Sequence, residues 1–294
     1  MSVTITRRVA LMTPFLAMMG LQGSHALAKD GDKGIAARLK KLEKRSGGRL
    51  GVAVLNTATG QLTGNRLDER FAMCSTFKAL AVAFTLSRVD RGEEQLGRRI
   101  FFKEGDLVTP FKATKPHLAD GMTIEQLCEA ALIVSDSTAA NLLLASFGGP
   151  AALTGYLRSL GDPVTRLDKI ELDLNIVKPG ETHDTTSPRA MVTTLQKIVL
   201  GDALSAPSRA KLTHWMIASK DAAAHRLRVG LPNGWRIANK PGTWNGISTN
   251  DIGVIFPSGR DPIVVAAYLG EARGSIKDQE AILAEVARIV AEEI

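Results

Sequence analysis

An alternating run from Arg49 to Asn56 predicts a β-strand. A second strand is expected near Gln61 to Arg66, with Ala58-Thr59-Gly60 as the turn, so the pair reads as a hairpin. Ahead of it, Gly34 to Ser46 predicts a helix with Ile35, Leu39 and Leu42 along one side. The middle of the chain is helix-rich. Ser75 to Val89 has few breakers and apolar residues throughout, which suits a buried helix. Thr123-Ile124-Glu125-Gln126 reads as a capping box, and Ser187-Pro188 as an N-cap followed by proline at the first helical position. Between them, Gly161 to Pro188 is charged, lacks periodicity and is long for a connection, which points to a functional loop. The chain then returns to strands at Trp235 to Lys240, Ser248 to Phe256 and Pro262 to Leu269, with Pro257-Ser258-Gly259-Arg260 as a turn. A last helix carries Ile282, Leu283, Val286, Ile289 and Val290 on one face.

These elements predict an α/β two-part fold. One antiparallel sheet is built from both chain ends, 29–66 and 227–294, and is flanked by the terminal helices. An all-helical subdomain, 67–226, is inserted between them and includes the 161–188 loop. A cleft is expected where the two parts meet.

The first 28 residues stand apart. Arg7 and Arg8 precede an apolar stretch from Val9 to Leu21, and Ala26-Leu27-Ala28 offers small residues for cleavage. That is the layout of a secretory signal peptide, too short and too interrupted by Pro14 for a membrane anchor. Thr6-Arg7-Arg8 leaves both the twin-arginine and the general export routes open. A periplasmic or secreted protein is expected, with no membrane association after signal removal. Without Arg7 and Arg8 the net charge of +7 falls by two, to +5. The densest basic run, Arg38 to Arg45, lacks interleaved aromatics and reads as a solvated helix face, so no nucleic-acid partner is expected. The two cysteines, Cys74 and Cys128, lie in separate segments and are expected as buried free thiols. The five His are dispersed, so neither a metal nor another cofactor is expected.

Chemistry enters with Ser75-Thr76-Phe77-Lys78. On a helix this spacing puts a hydroxyl and an amine on one face. A serine needs a nearby base to become a nucleophile, and a desolvated lysine can serve. The free N–H groups of a helix N-terminus also favour a developing anion. Alone the motif is weak, since about one Ser-x-x-Lys is expected by chance in a chain this long. Three further elements follow in order: Ser135-Asp136-Ser137, then Glu171 to Asn175 in the long loop, then Lys240-Pro241-Gly242-Thr243 at a strand end. With Thr165-Arg166-Leu167-Asp168, Asp184-Thr185-Thr186, Thr249-Asn250-Asp251 and the stretch His117 to Met122, this order resembles the class A serine β-lactamases over essentially the whole mature chain.

The resemblance implies a serine hydrolase that opens the β-lactam amide of penicillins, and of some cephalosporins, through an acyl-enzyme on Ser75. Lys78 and Glu171 are both candidate bases for acylation. Ser135 is expected to pass a proton to the departing nitrogen. Glu171 with Asn175 is expected to hold the hydrolytic water. The N–H groups of Ser75 and Thr243 would form the oxyanion hole. Ser137, Lys240, the Thr243 hydroxyl and Arg226 are the expected substrate-binding groups, and Asp136 is expected to be structural. The implied partner is a small-molecule β-lactam, and the implied state a monomer. The Glu171–Leu172 peptide is expected to be cis.

The chain departs from the family pattern at several points. Ser137 stands where asparagine is usual, and Pro241 where a hydroxyl residue is usual. Pro110 replaces a frequent cleft-edge tyrosine, with Phe111 as a substitute. Lys169, in place of arginine, is expected to pair with Asp184 without the bidentate fork. Three other readings share the Ser-x-x-Lys plan: a penicillin-binding peptidase, a penicillin-sensing module, and a weakly active relative. Glu171 and Asn175 argue against the peptidase, which needs no dedicated deacylating carboxylate.

Overall fold

The computed structural model describes residues 1–2, 25–178 and 180–294, with backbone alone for 25–33. Most of the expected signal segment, residues 3–24, lies outside the described residues. Helix α1 spans His25–Ser46 and so begins earlier than the expected Gly34. Alanines and Leu27 are strong enough helix formers to carry it through Gly31 and Gly34.

In chain order, α1 is followed by β1 (Arg49–Asn56), β2 (Leu62–Asn65) and the two-residue β3 (Phe71–Ala72). A 3₁₀ turn, Cys74–Thr76, leads into α2 (Phe77–Asp90). Next come β4 (Arg99–Ile100), β5 (Met122–Thr123), α3 (Ile124–Ile133), α4 (Ser137–Ser146) and α5 (Gly149–Ser159). The long loop then carries only a 3₁₀ turn, Asp173–Asn175, before β6 (Thr185–Thr186), α6 (Pro188–Leu195) and α7 (Ala206–Ile217). Three long strands, β7 (Arg236–Trp244), β8 (Ser248–Phe256) and β9 (Ile263–Gly270), precede α8 (Ile276–Glu293).

The sheet has the order β2-β1-β9-β8-β7, antiparallel throughout. Strand alternation sorts its side chains to two cores. Leu50, Val52 and Val54 of β1 meet Leu39 and Leu42 of α1 and Leu283, Val286 and Val290 of α8. Ala53 and Leu55 face the other way, with Tyr268, toward the helices. Burying each such Leu or Val contributes about 1.5–3 kcal/mol. Gly51 is required by this packing, because a Cβ there would lie 2.3 Å from the Phe71 ring.

Caps fix where the helices begin. Thr123 and Gln126 form the expected capping box of α3, and Ser187 caps α6 ahead of Pro188. Ser275 and Asp278 make a further box that opens α8. Helix α2 is buried on every side, by Phe77, Leu80, Val82, Ala83 and Leu86 among others. Its N-terminal turn emerges beside β7. Gly242 allows this approach, because a Cβ there would meet the Met73 carbonyl oxygen at 2.9 Å. Short pairs tie the loops down: β3 to β6 and β4 to β5. Strand β7 continues past the expected end at Lys240, through Pro241 to Trp244.

Candidate active site

Ser75 sits in the 3₁₀ turn that opens α2, after Cys74 with φ 46°. That left-handed backbone is uncommon for a non-glycine residue and persists where neighbours hold it. Here Asn250 donates to the carbonyls of Ala72 (2.9 Å) and Met73 (3.3 Å), and Thr76 Oγ1 donates to Met73 O (2.8 Å). The Cys74 thiol is fully buried, which pushes its pKa up to about 12, so it stays neutral and does not compete as a nucleophile. Both cysteines are free and buried, as expected.

One helical turn on, Lys78 is fully buried. Its ammonium lies 2.9 Å from Glu171 Oε1 and donates to Ser135 O (2.9 Å), Ser135 Oγ (3.5 Å) and Ser137 Oγ (3.3 Å). The Ser75 hydroxyl donates to the same Glu171 oxygen, at 3.4 Å. Ser135, between α3 and α4, also has a left-handed backbone (φ 56°). Lys240 Nζ reaches across from β7 to donate to Ser135 Oγ at 3.0 Å and to Pro241 O at 3.0 Å. Burial first, and the nearby Lys78 charge second, hold the Lys240 amine well below its ordinary pKa.

Glu171 is held on both sides. Its peptide bond to Leu172 is cis, as expected. Its backbone exchanges two bonds with the Asn141 side chain, N–H to Oδ1 at 2.9 Å and Nδ2 to O at 3.0 Å. Asn175 Nδ2 donates to Glu171 Oε2 at 2.8 Å. Asn141 was not anticipated from the sequence. The available signal was an asparagine, a poor helix former, in the interior of an otherwise apolar α4. Asp136 is structural. It caps α4 through Ala139 N and receives Ala113 N, Thr114 N and the Thr114 hydroxyl.

Ser75, Ser135 and Lys240 border one cavity of about 190 Å³, which Pro110, Gly242 and Thr243 also line. A half-buried serine beside a buried lysine–glutamate pair, with a second lysine facing it, suits acyl transfer. The family comparison agrees. A model of the β-lactamase enzyme family matches residues 34–294. The chain belongs to that family. It is 39% identical to β-lactamase OXY-2 of Klebsiella oxytoca, over 97% of each chain. It is 41% identical to β-lactamase L2 of Stenotrophomonas maltophilia, over 95% of this chain and 92% of that one. An ancestral class A β-lactamase (GNCA) superposes with a TM-score of 0.87 at 55% identity, covering 88% of this chain and 100% of the other. This β-lactamase is of class A, a serine hydrolase.

Its departures from the class pattern have structural counterparts. Ser137 is buried, and its hydroxyl accepts from Lys78. Pro241 lies on the edge strand, and the β7–β8 pairing runs unbroken through Pro241↔Asp251. The missing N–H therefore interrupts no ladder. Lys169 does not form the expected ion pair with Asp184. Instead Asp184 Oδ1 accepts the backbone N–H groups of Asp168 (2.8 Å) and Lys169 (3.0 Å), and its buried Oδ2 has no partner. Burial raises the Asp184 pKa accordingly.

Arg226 is neither exposed nor part of the cavity lining. It is 1% exposed. Its guanidinium donates to Gly242 O (2.9 Å), Asn250 O (2.8 Å) and Thr243 Oγ1 (2.6 Å), with Glu280 at 3.5 Å. Phe111 lies against Lys115, with the lysine nitrogen 5.5 Å from the ring centroid, and Pro110 alone of the two lines the cavity. Pro241→Thr is expected to lower KM for penicillins by up to about tenfold, since a hydrogen bond to a charged group contributes roughly 1.5–3 kcal/mol and neighbours already supply part of it. Thermal stability should stay within about 2 °C, because no ladder bond changes. Steady-state kinetics and a melting curve check both parts.

Proposed function

We propose that this enzyme hydrolyses penicillins, and some cephalosporins, through an acyl-enzyme on Ser75. The observation that carries this reading is the meeting of Ser75, Lys78 and Ser135 at one carboxylate and one buried lysine, Glu171 and Lys240. Ser75 Oγ attacks the lactam carbonyl carbon while its proton passes to Glu171, the group to which the hydroxyl already donates. Lys78, paired with that carboxylate, stabilises the charge. The carbonyl oxygen becomes an oxyanion facing the N–H groups of Ser75 and Thr243, each such donor being worth about 2.7–4 kcal/mol. The C–N bond then breaks as Ser135 gives its proton to the nitrogen, and the proton held by Glu171 passes through Lys78 to Ser135, leaving Glu171 a carboxylate again. Water next attacks the ester with Glu171 as base, oriented by Asn175, and Ser75 leaves with its proton restored. General-base help of this kind contributes roughly 10²–10⁴-fold.

Lys240 and the Thr243 hydroxyl bind the substrate carboxylate. Arg226 acts through Thr243: a guanidinium only donates, so the threonine oxygen accepts from it and turns its own proton to the cavity. Residues 1–28 serve as an export signal, and the mature chain works as a periplasmic or secreted monomer with no nucleic-acid partner. It is organised as an α/β part, 29–66 with 227–294, and a helical part, 67–226. No described helix is long and apolar enough to cross a membrane. Incubating purified protein with benzylpenicillin and a cephalosporin should give catalytic loss of the lactam chromophore and no lasting adduct by intact mass. A stoichiometric adduct without turnover would favour a sensor or peptidase instead.

A further inference from the structure

Ser75, Ser135 and Lys240 line only the inner part of the cleft. Beyond Pro110 lies a second hollow of about 470 Å³, lined by Thr109, Pro110, Phe111, Lys112, Lys115 and Pro116. Pro110 lines both spaces. The inner cavity, about 190 Å³, is smaller than the roughly 300–1,000 Å³ usual for small-molecule sites. Both walls at its mouth are pinned. On one side Ser137 N donates to Pro110 O at 2.7 Å, and Ala113 N and Thr114 N donate to Asp136. On the other, Lys220 N donates to Ile133 O at 2.9 Å.

From these fixed walls two side chains meet. Lys112 Nζ lies 2.6 Å from Asp221 Oδ2, with the side chains 57% and 60% exposed. Asp221 borders the inner cavity and Lys112 the outer hollow, so the ion pair stands on the boundary between them. The outer hollow has no acidic residue in its lining. It offers the Phe111 ring and a second ammonium, Lys115. Its chemistry is therefore that of an aromatic ring with one ammonium, Lys115, over it and a second, Lys112, in the lining and held by a carboxylate.

We propose that the outer hollow is an accessory substrate subsite for β-lactams whose side group carries an anion, a carboxylate or a sulfonate, and that the Lys112–Asp221 pair is its latch. The proposal rests on the β-lactam hydrolysis proposed above. An exposed ion pair is weak and screened by salt, so an incoming anion displaces Asp221 from Lys112 at little cost. The lysine stem turns while the pinned backbone stays in place, and the two spaces become one. A substrate with a neutral side group has no charge to exchange for the broken pair.

The test compares benzylpenicillin with its α-carboxy analogue, which differs by one carboxylate. The quantity read is the ratio of their KM values. Asp221→Asn, which frees Lys112, should shift the ratio about two- to fivefold in favour of the carboxylated substrate. Lys112→Ala should shift it by a similar factor the other way, and Lys115→Ala in the same direction by less. In 0.5 M NaCl the shifts should shrink toward none. A ratio that stays constant across the three variants, in protein that turns over benzylpenicillin, overturns the subsite. Failure of the unmodified enzyme to hydrolyse benzylpenicillin overturns the parent function and the subsite with it.

Discussion

Replacing Ser75 by alanine should reduce penicillin hydrolysis by about 10⁴- to 10⁶-fold and remove all covalent labelling. The geometry makes Ser75 the one group able to attack. The adjacent thiol of Cys74 is fully buried and held neutral by its pKa of about 12. Ser135, whose hydroxyl also belongs to the cluster, already accepts from both Lys78 and Lys240. Those two donors take up both lone pairs of its oxygen, which leaves none free to attack a carbonyl carbon. Folding should be almost untouched, because the Ser75 side chain makes a single long hydrogen bond, to Glu171 at 3.4 Å. The melting temperature is expected to stay within about 2 °C. Intact mass after exposure to benzylpenicillin decides the point, since a labelled Ser75→Ala protein would mean another residue is acylated.

Glu171→Gln should separate the two halves of the reaction. The variant keeps an oxygen for Asn175 Nδ2 and the backbone exchange with Asn141, so the loop should hold its shape. What disappears is the carboxylate charge beside Lys78. A buried ammonium that loses its anion is unstable, and losing one partner of a buried pair typically costs about 3–5 kcal/mol. Shedding the proton relieves this, and the neutral amine can then serve Ser75 as a base. Acylation should therefore survive, slowed, while deacylation has no base left. The expected result is a penicilloyl adduct that accumulates stoichiometrically within a mixing time and turns over at least about 10²-fold more slowly than in the unmodified enzyme. Turnover at the original rate with no adduct would remove Glu171 from the mechanism.

Much of the site was legible because its signals are local. Ser75 and Lys78 are one helical turn apart, Glu171 and Asn175 lie in one loop, and Lys240 to Thr243 end one strand. The long strands and the capped helices were legible through period and cap chemistry, and β8 matches its expected ends, Ser248 and Phe256. Two-residue strands such as β3 and β6 carry no period, so the link from the nucleophile turn to the long loop was invisible. Arg226 shows a different limit. A sequence shows that an arginine is present but not which way it faces. Here the side chain is drawn inward by two carbonyls that only the folded β7–β8 pair brings together. Analogy predicts an ion pair for Lys169, whereas Asp184 Oδ1 accepts two backbone amides instead. Asn141 acts through its side chain on a loop thirty positions away, a separation at which sequence spacing carries no signal.

The pairing of β1 with β9 also dictates the order in which the molecule can assemble. Strand β1 is complete at residue 56, yet the neighbour that covers its whole length runs from residue 263 to 270. Closing a loop of that span costs on the order of 5 kcal/mol of chain entropy. Until the last strand arrives, β1 presents a bare edge, which is the kind of surface that pairs with other chains. The groups at the heart of the catalytic cluster, Ser75, Lys78, Ser135 and Glu171, all precede residue 172. They nevertheless lie against a strand, β7, that has β8 as its neighbour, which in turn has β9. A chain interrupted between residues 172 and 262 thus holds these four side chains but lacks β9, the strand that joins β8 to β1. The sheet is closed by its last strand in sequence, which joins its two halves.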